Sequence, residues 1–153
     1  MISEARKYQA FYTKSTAIVD YMVSRLSLKT NDKIFEPCGG DGVFVEAILN
    51  ENEFAHIDIC ELNSKSIAVL NEKFSHFLNV NIRECDTLLD SELDFNSCFG
   101  GYYDKIIANP PYGAWQDYSK RTVLKKLYPD LYAKKATVYF YIAVFNYSKK
   151  TGF

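Results

Sequence analysis

The stretch that most constrains this chain is Asp104-Lys105-Ile106-Ile107-Ala108-Asn109-Pro110-Pro111-Tyr112. Ile106 to Ala108 reads as a short buried strand, and it stops at a polar amide followed by two prolines. Proline has no N–H and a fixed φ, so neither a β-ladder nor a helix continues through it. The residue before a proline is pushed towards an extended conformation, which applies to Asn109. The result is a stiff corner that presents an amide, a prolyl carbonyl and a phenol at the end of a strand. In open α/β sheets, the carboxyl ends of strands are where ligands bind.

The rest of the chain supplies the strands that such a sheet needs. Lys33 to Phe35 reads as a strand running into Glu36-Pro37-Cys38-Gly39-Gly40-Asp41-Gly42, followed by an amphipathic helix from Val43 to Leu49. Ala55 to Cys60 is a second strand, ending on Glu61. A helix from Ser64 to Phe77 follows, with Ile67, Leu70, Phe74 and Phe77 inward and Asn63 as its cap. Asn79 to Arg83 is a third strand that ends at Cys85-Asp86. Upstream, Ser15 or Thr16 can cap a helix carrying Ile18, Val19, Met22, Val23 and Leu26 at helical spacing. Downstream, Tyr118–Leu127 and Leu131–Ser148 read as helices separated by Pro129-Asp130. Strands alternating with helices predict an α/β fold, a mainly parallel sheet with right-handed crossovers and helices on both faces. Residues 1–153 read as one domain: an N-terminal segment and helix (1–30), a βαβ core (31–112) and a helical segment (113–153). A fifth strand is expected where the chain stops, so the sheet reads as lacking its last strands.

Composition narrows the class. With 48% apolar and 16% aromatic residues the chain is not disordered, and no run of about 18 apolar residues is present to span a bilayer. Its first residues, MISEARKYQAF, lack an apolar signal core, so a cytoplasmic location is expected. Cys38, Cys60, Cys85 and Cys98 form no CxxC pair and suggest no disulfide framework, so they read as reduced thiols. As a metal site Cys38, Cys60 and Cys85 lack a fourth ligand at sensible spacing, and they read instead as small buried hydrophobes. The formal net charge of −1 divides into −7 over residues 1–112 and +6 over residues 113–153. The basic segment after the Pro-Pro corner faces either phosphates or solvent.

Three carboxylates close three successive strands. Glu36 precedes a glycine loop that is neither GxGxxG nor a P-loop, and it suits a cationic ligand better than pyrophosphate. Glu61 lies where an acidic side chain can take both hydroxyls of a ribose. Asp86 can accept from an adenine amino group. Each has a plainer reading: the glycines as a turn, Glu61 as a helix cap or surface charge, Asp86 as a cap, Tyr112 as a core ring. Taken together they describe a nucleoside carrying a positive centre.

With those residues in view, the chain resembles the gamma-class adenine-N6 DNA methyltransferases of restriction-modification systems. Asn109-Pro110-Pro111-Tyr112 is similar to their motif IV, and Glu36 to Gly42 resembles their motif I. Glu61 and Asp86 resemble motifs II and III, and Phe11-Tyr12-Thr13 resembles motif X, although Lys14 stands where that family usually has a proline. The resemblance implies a Rossmann-like methyltransferase fold with S-adenosyl-L-methionine as cofactor. It also implies a pocket lined by Thr13, Glu36, Cys38, Gly39, Glu61, Leu62, Asp86, Thr87, Asn109 and Pro110. Asn109, Pro110, Pro111 and Tyr112 would carry the chemistry on an adenine flipped from double-stranded DNA, with target recognition supplied by a missing domain in the same or another chain. Homodimerisation through the exposed last strand is a further expectation. Other readings remain open: methylation of a protein glutamine or an RNA base, or cofactor binding without turnover.

Overall fold

The structure, a computed structural model, describes residues 15–90, 102–110, 118–127 and 129. Its strands are β1 (Lys33–Glu36), β2 (His56–Glu61), β3 (Val80–Glu84) and β4 (Lys105–Ile106). They form a four-stranded sheet in the order β3-β2-β1-β4, with every pairing parallel. The helices are α1 (Thr16–Ser24), α2 (Val43–Glu51), α3 (Ser64–Phe74) and α4 (Tyr118–Leu127). The sequence expectation of a helix at Leu131–Ser148 lies outside the described residues. Among the described residues, no helix is long and apolar enough to cross a membrane.

The period of two along each strand divides the sheet into two faces. Ile34 pairs with Ile57, and Ile59 with Ile82, on one face. Over it lie Val19 and Val23 of α1, Phe44, Val45 and Ile48 of α2, and Leu70 and Phe74 of α3. The three helices have their apolar residues at i, i+3 or i+4 spacing, so each buries a single stripe. On the other face Phe35, Cys60 and Tyr103 form a smaller cluster with Cys85, Leu88 and Ile106. Tyr103 stacks on Phe35, ring centroids 4.7 Å apart, and its hydroxyl donates to Asp58 Oδ2 at 2.8 Å. Burial and the neighbouring Asp58 push that phenol well above its ordinary pKa, so it remains a donor.

Several local expectations shift by a residue or a bond. Ser15 occupies the N-cap position of α1 but makes no side-chain cap bond; its carbonyl instead accepts from Ile18 and Val19. Asn63 does cap α3, its side chain accepting from the Lys65 N–H at 3.1 Å. That helix ends at Phe74 rather than Phe77. The chain must turn there, with the Phe77 N–H on the Phe74 carbonyl and the Val80 N–H on the Phe77 carbonyl, to enter β3. The last strand lies one residue earlier than its apolar run, although Ile107 still donates to the Phe35 carbonyl at 3.1 Å.

The structure brings Cys60 and Cys85 together, which their spacing in the sequence did not suggest. They are not scattered small hydrophobes but neighbours, their Cα atoms 5.6 Å apart and their sulfurs in contact. Register explains it: Cys60 lies opposite Arg83, so Cys85 is its diagonal neighbour on the same face. A separation of 25 residues hides this in the sequence.

Gly42 shows how tightly the loop after β1 is packed. It takes φ +82°, and a Cβ there would overlap the Phe74 ring and crowd Leu70. Gly42→Ala combines backbone strain with overpacking and should cost about 2–4 kcal/mol. A urea denaturation midpoint within error of the parent's would refute this.

Candidate active site

The strand order creates a switch point. The chain steps outward from β1 to β2 to β3, then returns to lay β4 on the opposite side of β1. The loops leaving β1 and β4 therefore diverge from a shared crevice, the usual ligand site of such sheets. Here the two loops touch: Cys38 Sγ donates to the Asn109 carbonyl at 3.3 Å, across 71 residues of sequence. At the other end of the same strand pair, Asp104 accepts from the Lys33 N–H at 3.0 Å, which fixes how far β4 slides against β1.

The loop Pro37–Gly42 is held from three directions. The Gly39 N–H donates to the Cys60 carbonyl at 3.0 Å, and the Gly40 N–H donates to Glu61 Oε2 at 2.8 Å. The Thr87 hydroxyl, itself buried, donates to the Pro37 carbonyl at 2.6 Å. Glu61 Oε1 also accepts from the Leu62 and Asn63 N–H groups, at 2.8 and 2.7 Å. An ionised carboxylate has about four acceptor directions. Three of those on Glu61 are taken by backbone, and one remains for a ligand.

Glu36 differs from its neighbours. It ends β1 on the helix-covered face, 1% exposed, and its Oε2 meets no hydrogen-bond partner among the described residues. Burial first, then the charges of Glu61 and Asp41, raise its pKa well above the ordinary carboxylate value. Burial first, then Glu36 and Glu61, also raise the Cys38 thiol, while its bond to the Asn109 backbone opposes them. Buried polar atoms are normally paired, so an orphan beside two further acids marks a place where positive charge is welcome. S-adenosyl-L-methionine, the cofactor implied by the resemblance, carries a sulfonium and an ammonium, and this donor set fits it.

Glu36, Cys38, Gly39, Glu61, Leu62, Asp86, Thr87, Asn109 and Pro110 all lie at the carboxyl ends of the strands, on one edge of the sheet. Thr13, Pro111 and Tyr112 lie outside the described residues. Two roles differ in kind from what spacing alone suggests. Gly39 is required by packing, since a Cβ would overlap Ile59 and press on Leu70. The Thr87 hydroxyl is occupied in tying β3 to the β1 loop. Sequence reasoning also missed Lys120, whose ammonium donates to Asp86 Oδ2 from α4. Nothing in its basic surroundings singles it out. Tyr103 was missed too, although Asp58 between two isoleucines was a signal: a carboxylate in an apolar strand needs a donor.

Comparison with known proteins agrees with this arrangement. The chain is 29% identical over 136 residues to the type II methyltransferase M.AccI of Acinetobacter calcoaceticus, covering 87% of the chain but 23% of that relative. It is 26% identical over 108 residues to a ribosomal RNA small subunit methyltransferase A of Pseudomonas fluorescens, covering 70% of the chain and 38% of the relative. A methyltransferase subunit of a type I restriction-modification system from Streptococcus thermophilus superposes with a TM-score of 0.71 at 18% identity. That superposition covers 91% of this chain and 32% of the other. The chain thus spans about a quarter of the length of M.AccI. Residues 14–153 match the profile of one family across the crevice and both loops, and the chain belongs to the Eco57I restriction-modification methylase family.

Proposed function

We propose that this chain is the S-adenosyl-L-methionine-binding catalytic part of a DNA methyltransferase that modifies the 6-amino nitrogen of adenine within a restriction-modification system. The observation that carries this reading is the meeting of the Cys38 thiol with the Asn109 carbonyl beside the buried carboxylate of Glu36, whose Oε2 has no hydrogen-bond partner among the described residues. One loop offers a cation site, and the other offers acceptors for an amine.

When bound, S-adenosyl-L-methionine supplies an electrophilic methyl group on a sulfonium centre. Glu36, with Asp41 and Glu61, provides the negative field that holds its cationic end. Glu61 offers its remaining acceptor direction to a ribose hydroxyl, Asp86 accepts from the adenine amine, and Thr13, Cys38, Gly39, Leu62 and Thr87 complete the lining. On the substrate side the 6-amino nitrogen of adenine is a poor nucleophile, because its lone pair is delocalised into the ring. The Asn109 side-chain oxygen and the Pro110 carbonyl each accept one of its N–H groups and draw the nitrogen towards tetrahedral geometry. Its lone pair is then free to attack, and no covalent enzyme intermediate is needed. The contribution is positioning and electrostatics. The target base must first leave the duplex, at roughly a few kcal/mol. Stacking on Tyr112, beyond Pro111, returns about 1–3 kcal/mol. Duplex recognition falls to a target-recognition domain in the same or another chain.

A second reading, methylation of an adenine in ribosomal RNA, is favoured by the similarity to the ribosomal RNA methyltransferase over 70% of the chain. The Asn-Pro corner serves an adenine in either polymer. Tritiated S-adenosyl-L-methionine supplied with duplex DNA and, separately, with ribosomal RNA separates the two. Label in N6-methyldeoxyadenosine after nuclease digestion supports the first reading, and label confined to RNA replaces it with the second.

Two variants test the division of labour. Asn109→Ala should lower methyl transfer by about 100–1,000-fold, the usual loss when a preorganised polar contact to the reacting group is removed. Binding of S-adenosylhomocysteine should change by no more than several-fold. Equal losses in both would show that Asn109 holds the cofactor or the fold instead. Glu36→Gln should act in opposite directions on stability and binding. The raised pKa of Glu36 means that the folded chain holds more protons than the unfolded one above the ordinary value of 4.5, so stability falls as pH rises towards the folded value. The glutamine variant should therefore melt higher at pH 8, by about 2–4 °C for each kcal/mol recovered, with the gain fading towards pH 4.5. Its affinity for S-adenosyl-L-methionine should drop roughly tenfold. An unchanged melting temperature together with unchanged affinity would remove Glu36 from the site.

A further inference from the structure

Two sulfurs that no step above uses lie beneath the crevice. Cys60 stands in β2 just before Glu61, and Cys85 follows β3 just before Asp86. Their Cα atoms are 5.6 Å apart, their sulfurs touch, and the Cys85 N–H donates to the Glu61 carbonyl at 3.0 Å. Disulfides span Cα separations of about 4.4–6.8 Å, so these strands need no rearrangement for the two residues to be joined. Arg83, the ladder partner of Cys60, brings its guanidinium to the pair: Nη2 lies 3.7 Å from Cys60 Sγ, and Nη1 lies 3.6 Å from Asp90 Oδ1. A neighbouring cation favours the thiolate, which is the reactive form. Cys60 is fully buried, whereas Cys85 is partly exposed. An accessible thiol, a shielded thiol able to resolve it and a positive charge beside them make up a redox-reactive pair.

We propose that Cys60 and Cys85 are a reversible dithiol, oxidised by peroxide, whose state sets the cofactor affinity of the crevice. The part that concerns affinity rests on the function proposed above. Cys85 Sγ attacks one oxygen of hydrogen peroxide, the O–O bond breaks, and the departing hydroxide takes the thiol proton and leaves as water. Cys60 Sγ then attacks the sulfenic sulfur, the S–S bond forms as the S–O bond breaks, and the Cys60 proton leaves in a second water. The two sulfurs together lose two electrons and the peroxide gains them. A dithiol reductant reverses the link by thiol–disulfide exchange. In a reducing compartment the thiols are the resting state and the link is transient. The consequence for binding follows from position, because Glu61 and Asp86 each stand one residue beyond a sulfur. With the sulfurs already in contact, the link holds the strand ends where they lie rather than moving them. It removes freedom from the empty crevice, so a ligand that spans both carboxylates loses less entropy on binding.

The test treats the reduced chain with one equivalent of hydrogen peroxide, alkylates the remaining thiols and maps its peptides without reduction. A Cys60–Cys85 cross-linked peptide should form in the native chain and be released by dithiothreitol. The linked chain should melt roughly 6–12 °C higher, as expected for closing a loop across 25 residues. Calorimetric titration should show it binding S-adenosylhomocysteine roughly tenfold more tightly than the reduced chain. In Cys85→Ser, peroxide should move neither the melting temperature nor the affinity. Absence of the cross-linked peptide from the native chain, or its appearance only in urea, overturns the proposal with no variant needed. So does a link that leaves affinity unchanged or weakens it, which would make the pair structural alone. A peroxide effect on affinity that persists in Cys85→Ser belongs to another thiol, such as Cys38, and overturns it too. A chain that forms the link and gains stability yet binds no S-adenosylhomocysteine in either state refutes the proposed function along with the control of affinity. A chain that binds S-adenosylhomocysteine but forms no link refutes this inference alone, and so the two failures are distinguishable.

Discussion

Glu61 is the residue on which the geometry of the crevice depends. Its carboxylate gathers three backbone N–H donors, one from the glycine loop after β1 and two from the turn after β2. Hydrogen bonds to a charged acceptor each contribute about 1.5–3 kcal/mol net. They also do what apolar packing cannot, because they orient peptide planes. With Gly40 anchored on Glu61, and Gly39 on the Cys60 carbonyl, the loop after β1 is a fixed wall of the crevice. The opposite wall, at Asn109, meets that loop through the Cys38 thiol, while Asp104 and Ile107 set the strand that leads to it.

The same region stores an unfavourable term. Glu36 is buried with Oε2 unpaired among the described residues, while Asp41 and Glu61 add negative charge nearby. Such an arrangement persists only where surrounding packing holds it in place. Here it sits at the rim of a core in which Ile34, Phe35, Ile57 and Ile59 are all at most 1% exposed. The glycines belong to that packing as much as to the site. Gly39 and Gly42 let the loop lie directly on Ile59, Leu70 and Phe74. A local violation of polar satisfaction inside an otherwise consistent fold is the pattern expected of a binding site.

The second face of the sheet holds the strands in register by different means. Tyr103 stacks on Phe35 and donates to Asp58, which also receives the Asn81 amide at 3.3 Å. Cys60 and Cys85 pack together on the same two strands nearer the crevice, each one residue before a carboxylate of the site. The ends of β2 and β3 are therefore tied by the packing of Cys60 against Cys85 and by the Cys85 N–H donating to the Glu61 carbonyl at 3.0 Å. That fixes the spacing between Glu61 and Asp86.

What the sequence determined by itself was local. Apolar spacing set the strands and helices, two prolines set a stiff corner after Asn109, and acidic residues closed three strands in turn. These features depend on residues within a few positions of one another, where backbone sterics and side-chain period act directly. The tertiary structure decided which groups meet: β4 beside β1 rather than β3, Cys60 with Cys85 across 25 residues, Lys120 with Asp86 across 34, and Cys38 with Asn109 across 71. It also decided that Glu36 keeps one oxygen unpaired among the described residues while Glu61 takes three backbone bonds, although both are glutamates at the end of a strand. Such pairings follow from strand order and register, which are set by how the whole sheet buries its apolar faces, and no local pattern encodes them.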